Sequence, residues 1–237
     1  MRKTIIVWLM IAASLMLVGC ILFLRVMSTL AKYETNTYEV DKAFSDISIS
    51  TDTADILFAL SDDGKCKVEC YEKRNAKHSV TVENDVLVVR INKSWYDYIG
   101  YNLGSSKITV YLPKTEYNAL SISESTGNVE IPKDYLFDNV DISLSTGGVN
   151  FCASVSKLVK IKAITGNIRV ENTSAGALDL SVTTGKVAVS GVTCRDDITV
   201  DVVTGSAYLT DSSCRSVISS VITGSVSLDN VIQEVDP

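Results

Sequence analysis

Histidine occurs once in these 237 residues, at His78, and proline three times. One imidazole cannot build a histidine-rich metal site, and no Ser or Cys stands where it would pair with His78 for nucleophilic catalysis, so a surface position ahead of a strand is expected for it. Concentrated basic runs are missing too. With 22 Lys and Arg against 28 Asp and Glu the net charge is −6, and no face gathers the positive charge that phosphate binding needs, which excludes nucleic acid as a partner. Few prolines and 46% hydrophobic residues exclude a disordered chain. The six cysteines have no zinc-site spacing. Cys66 and Cys70 share one face of a strand about 13 Å apart, too far for a disulfide. Cys194 and Cys214 fall in one column with parallel side-chain vectors, a poor disulfide torsion. All four, and Cys152, are expected to act as small buried hydrophobes.

Charge is absent from Thr4 to Leu24, "TIIVWLMIAASLMLVGCILFL", a run long enough for a helix across a bilayer of about 30 Å. The expected organisation is a cytoplasmic n-region at 1–3, a transmembrane helix or signal anchor at 4–26 and a linker at 27–39. An alternative sits inside the run: Leu17-Val18-Gly19-Cys20 resembles a lipobox, with Cys20 as the lipidated residue, although Ile21 to Leu24 stay apolar where a lipoprotein turns polar. Both readings tether the chain to a membrane. Arg2 and Lys3 ahead of an apolar run form the usual signal-anchor pattern, against a weak charge bias from Arg25 and Lys32. The bulk of the chain is therefore expected outside the cytoplasm, at the cell surface.

Beyond the anchor one dipeptide recurs. Thr126-Gly127, Thr146-Gly147, Thr165-Gly166, Thr184-Gly185, Thr204-Gly205 and Thr223-Gly224 place glycines 20, 19, 19, 20 and 19 residues apart. Seven, five and three residues before each Gly, and two and four after it, apolar residues dominate, as in Val140, Ile142, Leu144, Val149 and Phe151. That alternation marks strands with one buried face on both sides of the dipeptide. Each repeat reads as strand, Thr-Gly corner, strand and variable polar return. Such a unit gains stability only by stacking on copies of itself, with equivalent positions about 4.8 Å apart. The expected fold is all-β, a single-stranded parallel β-solenoid (β-helix) of 19–20-residue turns over 116–233, with a tail at 234–237. The glycine supplies a sharp corner, and the threonines form a stacked ladder. Residues 40–115 read as an irregular cap containing one degenerate turn, in which Thr53-Ala54 replaces Thr-Gly, and a hairpin turning at Asn84-Asp85.

The order of apolar span, "ISIST…ADILF", "VTVENDVLVVRI", "KITVYLPK" and then "LSISESTGNVEI" with its copies resembles the bacterial putative-adhesin family, a domain of unknown function, over roughly residues 40 to 230. The resemblance implies a surface-exposed β-solenoid. It brings no catalytic motif, and no enzyme activity, cofactor or metal is expected. Asp141, Asp179 and Asp201 are interleaved with Ser, Thr and Lys on the outward face, the pattern of a solvated sheet and not of an acid–base pair. The aromatic cluster Trp95, Tyr96, Tyr98 and Tyr101 suits contact with a glycan or a cell-surface protein, or capping of the solenoid's end. The expected function is a membrane-anchored, non-catalytic binding, adhesion or envelope scaffold module. The alternatives are a bactofilin-like structural polymer, to which the short "DNVIQEVDP" after Leu228 points, and a polysaccharide-active enzyme.

Overall fold

In the computed structural model, which describes residues 2–30, 33–74, 76–92 and 106–234, one helix precedes a stack of strands. The helix α1 (Arg2–Leu30) forms where the uncharged run lies. Among the described residues no helix is long and apolar enough to cross a membrane, so the span expected over 4–26 stands on the sequence alone. Cys20 is exposed on this helix.

The regular repeats form long strands that bend at their Thr-Gly: β7 (Glu116–Thr126), β8 (Val129–Ile131), β9 (Leu136–Phe151), β10 (Ser154–Glu171), β11 (Ser174–Ser190), β12 (Thr193–Cys194), β13 (Ile198–Cys214) and β14 (Val217–Gln233). Neighbouring turns pair in parallel and like on like. Thr146 pairs with Thr165, which pairs with Thr184, then Thr204 and Thr223, and the glycines follow in step. The period-2 alternation is realised as burial. Val140, Ile142, Leu144, Val149 and Phe151 are buried, as are their counterparts through Leu209. The degenerate turn takes its place in the stack as β2 (Asp46–Leu60), with Thr53 opposite Thr126 and Ile47 opposite Leu120.

The corner explains the glycine. Each Gly of the series has φ between 139° and 157°, and a Cβ there would lie 1.5 to 1.8 Å from the carbonyl oxygen of the corner residue one turn earlier. No rotamer relieves a clash with backbone. Ala54 escapes it as the first corner of the series. A second corner, read in the sequence as a variable polar return, is also periodic. Asn172, Gly191, Asp211 and Asn230 each follow their turn's Gly by six residues and all have positive φ, between 47° and 63°. Asn, Asp and Gly tolerate that region, and because three residue types share the role no single-letter motif marks it.

The cap is built from β1 (Tyr33–Val40), β3 (Cys66–Lys73), β4 (His78–Glu83), β5 (Val86–Ile91) and β6 (Ser106–Leu112). Strands β5 and β6 lie parallel beneath the two arms of β2, β4 and β5 form a hairpin with both Asn84 and Asp85 at positive φ, and β3 runs antiparallel between β6 and β1. The linker expected over 27–39 is therefore incorrect: α1 runs on to Leu30 and β1 starts at Tyr33. "YETNTYEV" alternates too weakly to announce a strand, and it is held by pairing with β3 along its whole length.

Gly185→Ala, at the centre of the stack, is expected to destabilise the protein by more than about 3 kcal/mol, whereas Ala54→Gly is expected to change stability by less than about 1 kcal/mol. Urea unfolding followed by circular dichroism measures both, and equal effects of the two substitutions would contradict the corner clash.

Candidate functional site

The first polar group out of place is His78. The expected surface histidine is buried, 2% exposed, because it opens β4 directly beneath β1 and every polar atom it owns is used. Its backbone N–H donates to Glu72 Oε2 at 2.6 Å, its ring Nδ1 lies 2.6 Å from the same oxygen, and its Nε2 lies 2.9 Å from Thr51 Oγ1. Its carbonyl accepts from Tyr38 Oη at 2.9 Å. A carboxylate only accepts, so Nδ1 carries a proton toward Glu72, and the Thr51 hydroxyl completes Nε2. Glu72 is itself buried, and its other oxygen accepts from Asn36 Nδ2 at 2.7 Å. Asn36 also touches Glu34, which binds Arg74 and Lys77 at the rim. Those cations and the Asn36 amide hold the Glu34 carboxyl down at about 2. One histidine thus ties β1, β2, β3 and β4 together.

Cys70 completes a group with Glu72 and His78 whose ligand atoms all lie within 4.8 Å of one another. These are metal-ligand types. However, Nδ1 and Oε2 sit at hydrogen-bonding distance, whereas two ligands of one zinc stand about 3.3 Å apart, and both carboxylate oxygens are already occupied by donors. Burial, with the Glu72 charge adding to it, pushes the Cys70 thiol up to about 12, so it stays protonated at neutral pH. The arrangement is a closed hydrogen-bonded network whose chemistry is to satisfy buried charge. Thr51–His78–Glu72 has the order of a hydroxyl–imidazole–carboxylate relay, but all three are buried.

Sequence reasoning passed over Glu72, Thr51, Asn36 and Tyr38. The signal was available for two of them. The buried face of β3 that carries Cys66 and Cys70 continues two residues on to Glu72, and Thr51 occupies the position three before Ala54 that is apolar from Leu144 onward.

That same position in the next turn is Glu124, which lies opposite Thr51 in the stack. It is 5% exposed. Its Oε1 accepts the Ala54 N–H at 2.9 Å, and its Oε2 has no hydrogen-bond partner among the described residues. Burial, with the nearby Asp55 and Asp52 charges adding to it, raises this carboxyl to about 7 against the pull of the Ala54 N–H. Glu124 lines a groove of about 330 Å³ on the solenoid wall, with Ser123, Ser143, Lys162, Ile164 and Ser181 among its neighbours. Along the same wall Ser121, Asp141, Lys160, Asp179 and Thr199 stand in register, and Lys160 reaches Asp179 at 3.7 Å. The acids of this row alternate with cations and hydroxyls. Of the other expected sites, Cys66, Cys194 and Cys214 are buried and Cys152 half-buried, and Trp95, Tyr96, Tyr98 and Tyr101 lie outside the described residues.

A family model described as Toastrack DUF4097 matches residues 44–231, which takes in the degenerate turn, the cap strands after it and every Thr-Gly repeat. The chain belongs to the Toastrack DUF4097 family. No curated protein matches this Toastrack chain. Among solved structures it is similar to a putative adhesin from Bacteroides fragilis, at 19% identity and a TM-score of 0.48 over 84% of this chain and 97% of that one. It is also similar to a putative cell adhesion protein from Clostridium sporogenes, at 9% identity and a TM-score of 0.43 over 84% and 99%. A putative adhesin from Parabacteroides distasonis follows at 15% identity and a TM-score of 0.42 over 83% and 97%.

Two tests follow the Toastrack polar groups. His78→Ala removes the ring donor and leaves the buried Glu72 carboxylate with two donors, Asn36 Nδ2 and the backbone N–H of residue 78, and is expected to cost about 3–5 kcal/mol. His78→Asn, whose amide can replace the Nδ1 donor, is expected to recover part of that loss in urea unfolding, and equal losses would show that the imidazole only fills space. Glu124 behaves oppositely. Its folded-state proton is held more tightly than in the unfolded chain, so stability falls as pH rises from about 4.5 to about 7 and levels off above. Glu124→Gln is expected to match the parent at pH 4 and to exceed it by roughly 1–3 kcal/mol at pH 8; parallel stability curves would show the carboxyl to be solvated.

Proposed function

We propose that this Toastrack protein is a membrane-anchored, surface-exposed and non-catalytic binding module of the adhesin type. The observation that carries the reading is the outer wall of the solenoid. In-register stacking turns a few residue types into rows spaced at the repeat of a sheet, about 4.8 Å. At the edge of the Thr-Gly corner the row Ser125, Ser145, Ile164, Thr183, Val203 and Ile222 points outward, with Ile164, Val203 and Ile222 all exposed. Beside it run the hydroxyls and Lys162 of the groove. A periodic wall of mixed apolar and hydroxyl character suits an extended ligand, a glycan chain or a surface protein, better than a small molecule.

The anchor rests on the sequence: 21 uncharged residues from Thr4 to Leu24, in a helix of 29 residues, about 43 Å long at 1.5 Å per residue. Because α1 ends at Leu30 and β1, a cap strand, begins at Tyr33, an anchored helix holds the cap close to the membrane. The scattered acids of the wall, interleaved with hydroxyls and with Lys160, which reaches Asp179, favour binding over hydrolysis, since glycoside cleavage needs two carboxyls at a set separation across a cleft.

Protease shaving of intact cells, with a tag at Pro237 and a cytoplasmic protein as the lysis control, is expected to digest the tagged domain while the control survives. Protection until the cells are broken would place the domain inside and remove the adhesin reading.

A further inference from the structure

The two ends of the stack differ. At the cap end the outermost strand β1 carries Glu34, which is tied to Arg74 and Lys77, and the neighbouring hairpin carries the Glu83–Arg90 pair. Charged, short edge strands resist further pairing. At the other end β14 is the last strand of the sheet order and, among the described residues, pairs only with β13. It is 17 residues long, "VISSVITGSVSLDNVIQ", with Asp229 as its single charge. Positions that are buried in every earlier turn emerge here: Val226 is 39% and Leu228 47% exposed, beside Ile222 at 74% and Ile232 at 59%. The sequence rule that placed these residues inside holds only where another turn follows.

We infer that β14 is a homophilic interface, pairing antiparallel with β14 of a second copy to give a tail-to-tail dimer. A two-fold axis at the Thr223–Gly224 corner sets each arm of one β14 against the other arm of its twin. Val221 then faces Val226 of the second copy and Ser219 faces Leu228, so positions of the inward columns meet and both open cores close. Asp229 falls opposite Ile218, which keeps the two carboxylates apart. The interface is uncharged at its centre, self-complementary and closed at two copies, and the charged caps stop it from growing into a filament. The dimer also puts the two α1 helices at opposite ends of a doubled solenoid. Resting on the membrane anchoring proposed above, two anchored copies on facing membranes are joined by their tips.

The test is sedimentation of the full chain in detergent, beside Val226→Lys/Leu228→Lys. The parent is expected to sediment as a dimer that dissociates on dilution, and the double variant as a monomer with association at least hundredfold weaker. Because both residues are exposed, far-ultraviolet circular dichroism should be unchanged. A second measurement does not depend on lysine tolerance: in a Cys20→Ser background, Val221→Cys chains mixed with Val226→Cys chains are expected to form an intermolecular disulfide that neither forms alone. A parent that is monomeric at every concentration, or a dimer that survives both lysines, overturns the proposal. Vesicles carrying the full chain are expected to cluster, and not to cluster with the double variant. Failure to cluster by a chain that still dimerises through β14 in detergent would count against the anchoring and leave the dimer standing.

Discussion

Everything in the solenoid depends on how closely one glycine can lie over another. At each Thr-Gly corner the backbone of one turn occupies the space that a Cβ of the next would need, and the clash would be with a carbonyl oxygen that cannot rotate away. This contact fixes the turn spacing at the corner and so locks register along both arms, since a slip by one residue would turn every inward side chain outward. Once register is locked, threonine meets threonine and the apolar columns run unbroken from Val140, Ile142, Leu144, Val149 and Phe151 to Leu209 and its neighbours in the same turn. The apolar columns supply the burial, and the corner makes that burial specific.

A stack of like on like has no intrinsic end, and the chain solves the two ends differently. On the cap side the solenoid meets antiparallel strands, and the junction is polar. Thr51 and Glu124 hold the same column position in the first two turns, where later turns carry Leu144, Ala163, Val182 and Val202. Thr51 completes the His78 ring and Glu124 receives the Ala54 N–H. Buried polar groups of this kind contribute more to orientation than to net stability, because each bond mainly offsets its own desolvation. Glu72 illustrates the point, since a carboxylate with three donors at 2.6 to 2.7 Å accepts only one arrangement of β1, β3 and β4.

The fold was legible in the sequence wherever repetition amplified a weak signal. One Thr-Gly is an ordinary turn, but six at a fixed period, each flanked by alternating apolar residues, give the stacking, the register and the inward columns, and even the degenerate copy at Thr53-Ala54. Legibility failed where a position is used once or by several residue types. The second corner is shared among Asn172, Gly191, Asp211 and Asn230, which agree in backbone conformation and not in identity. His78 looked superficial because its neighbours in sequence are polar; its partners Thr51, Glu72 and Tyr38 lie 27, 6 and 40 residues away and come together only through the antiparallel cap. No local pattern carries that information. The wall that forms the candidate binding surface was partly legible, since the outward serines, Lys160 and Asp179 follow from the same alternation, whereas the unpartnered oxygen of Glu124 follows only from burial.

The same logic bears on what the distal tip is for. A column residue is apolar because turns lie on both sides of it, and selection for solubility acts on whichever turn is last. An edge meant to face water commonly acquires Lys, Pro or a bulge, devices that β14 lacks along its 17 residues. Its sequence is that of an interior turn with a neighbour removed. The cap side, by contrast, has ion pairs at its rim and a buried network behind them. An end that is finished beside an end that repeats the interior fits completion of the second by something with the shape of one more turn, and among the described residues β14 itself combines that shape with a free, nearly uncharged edge.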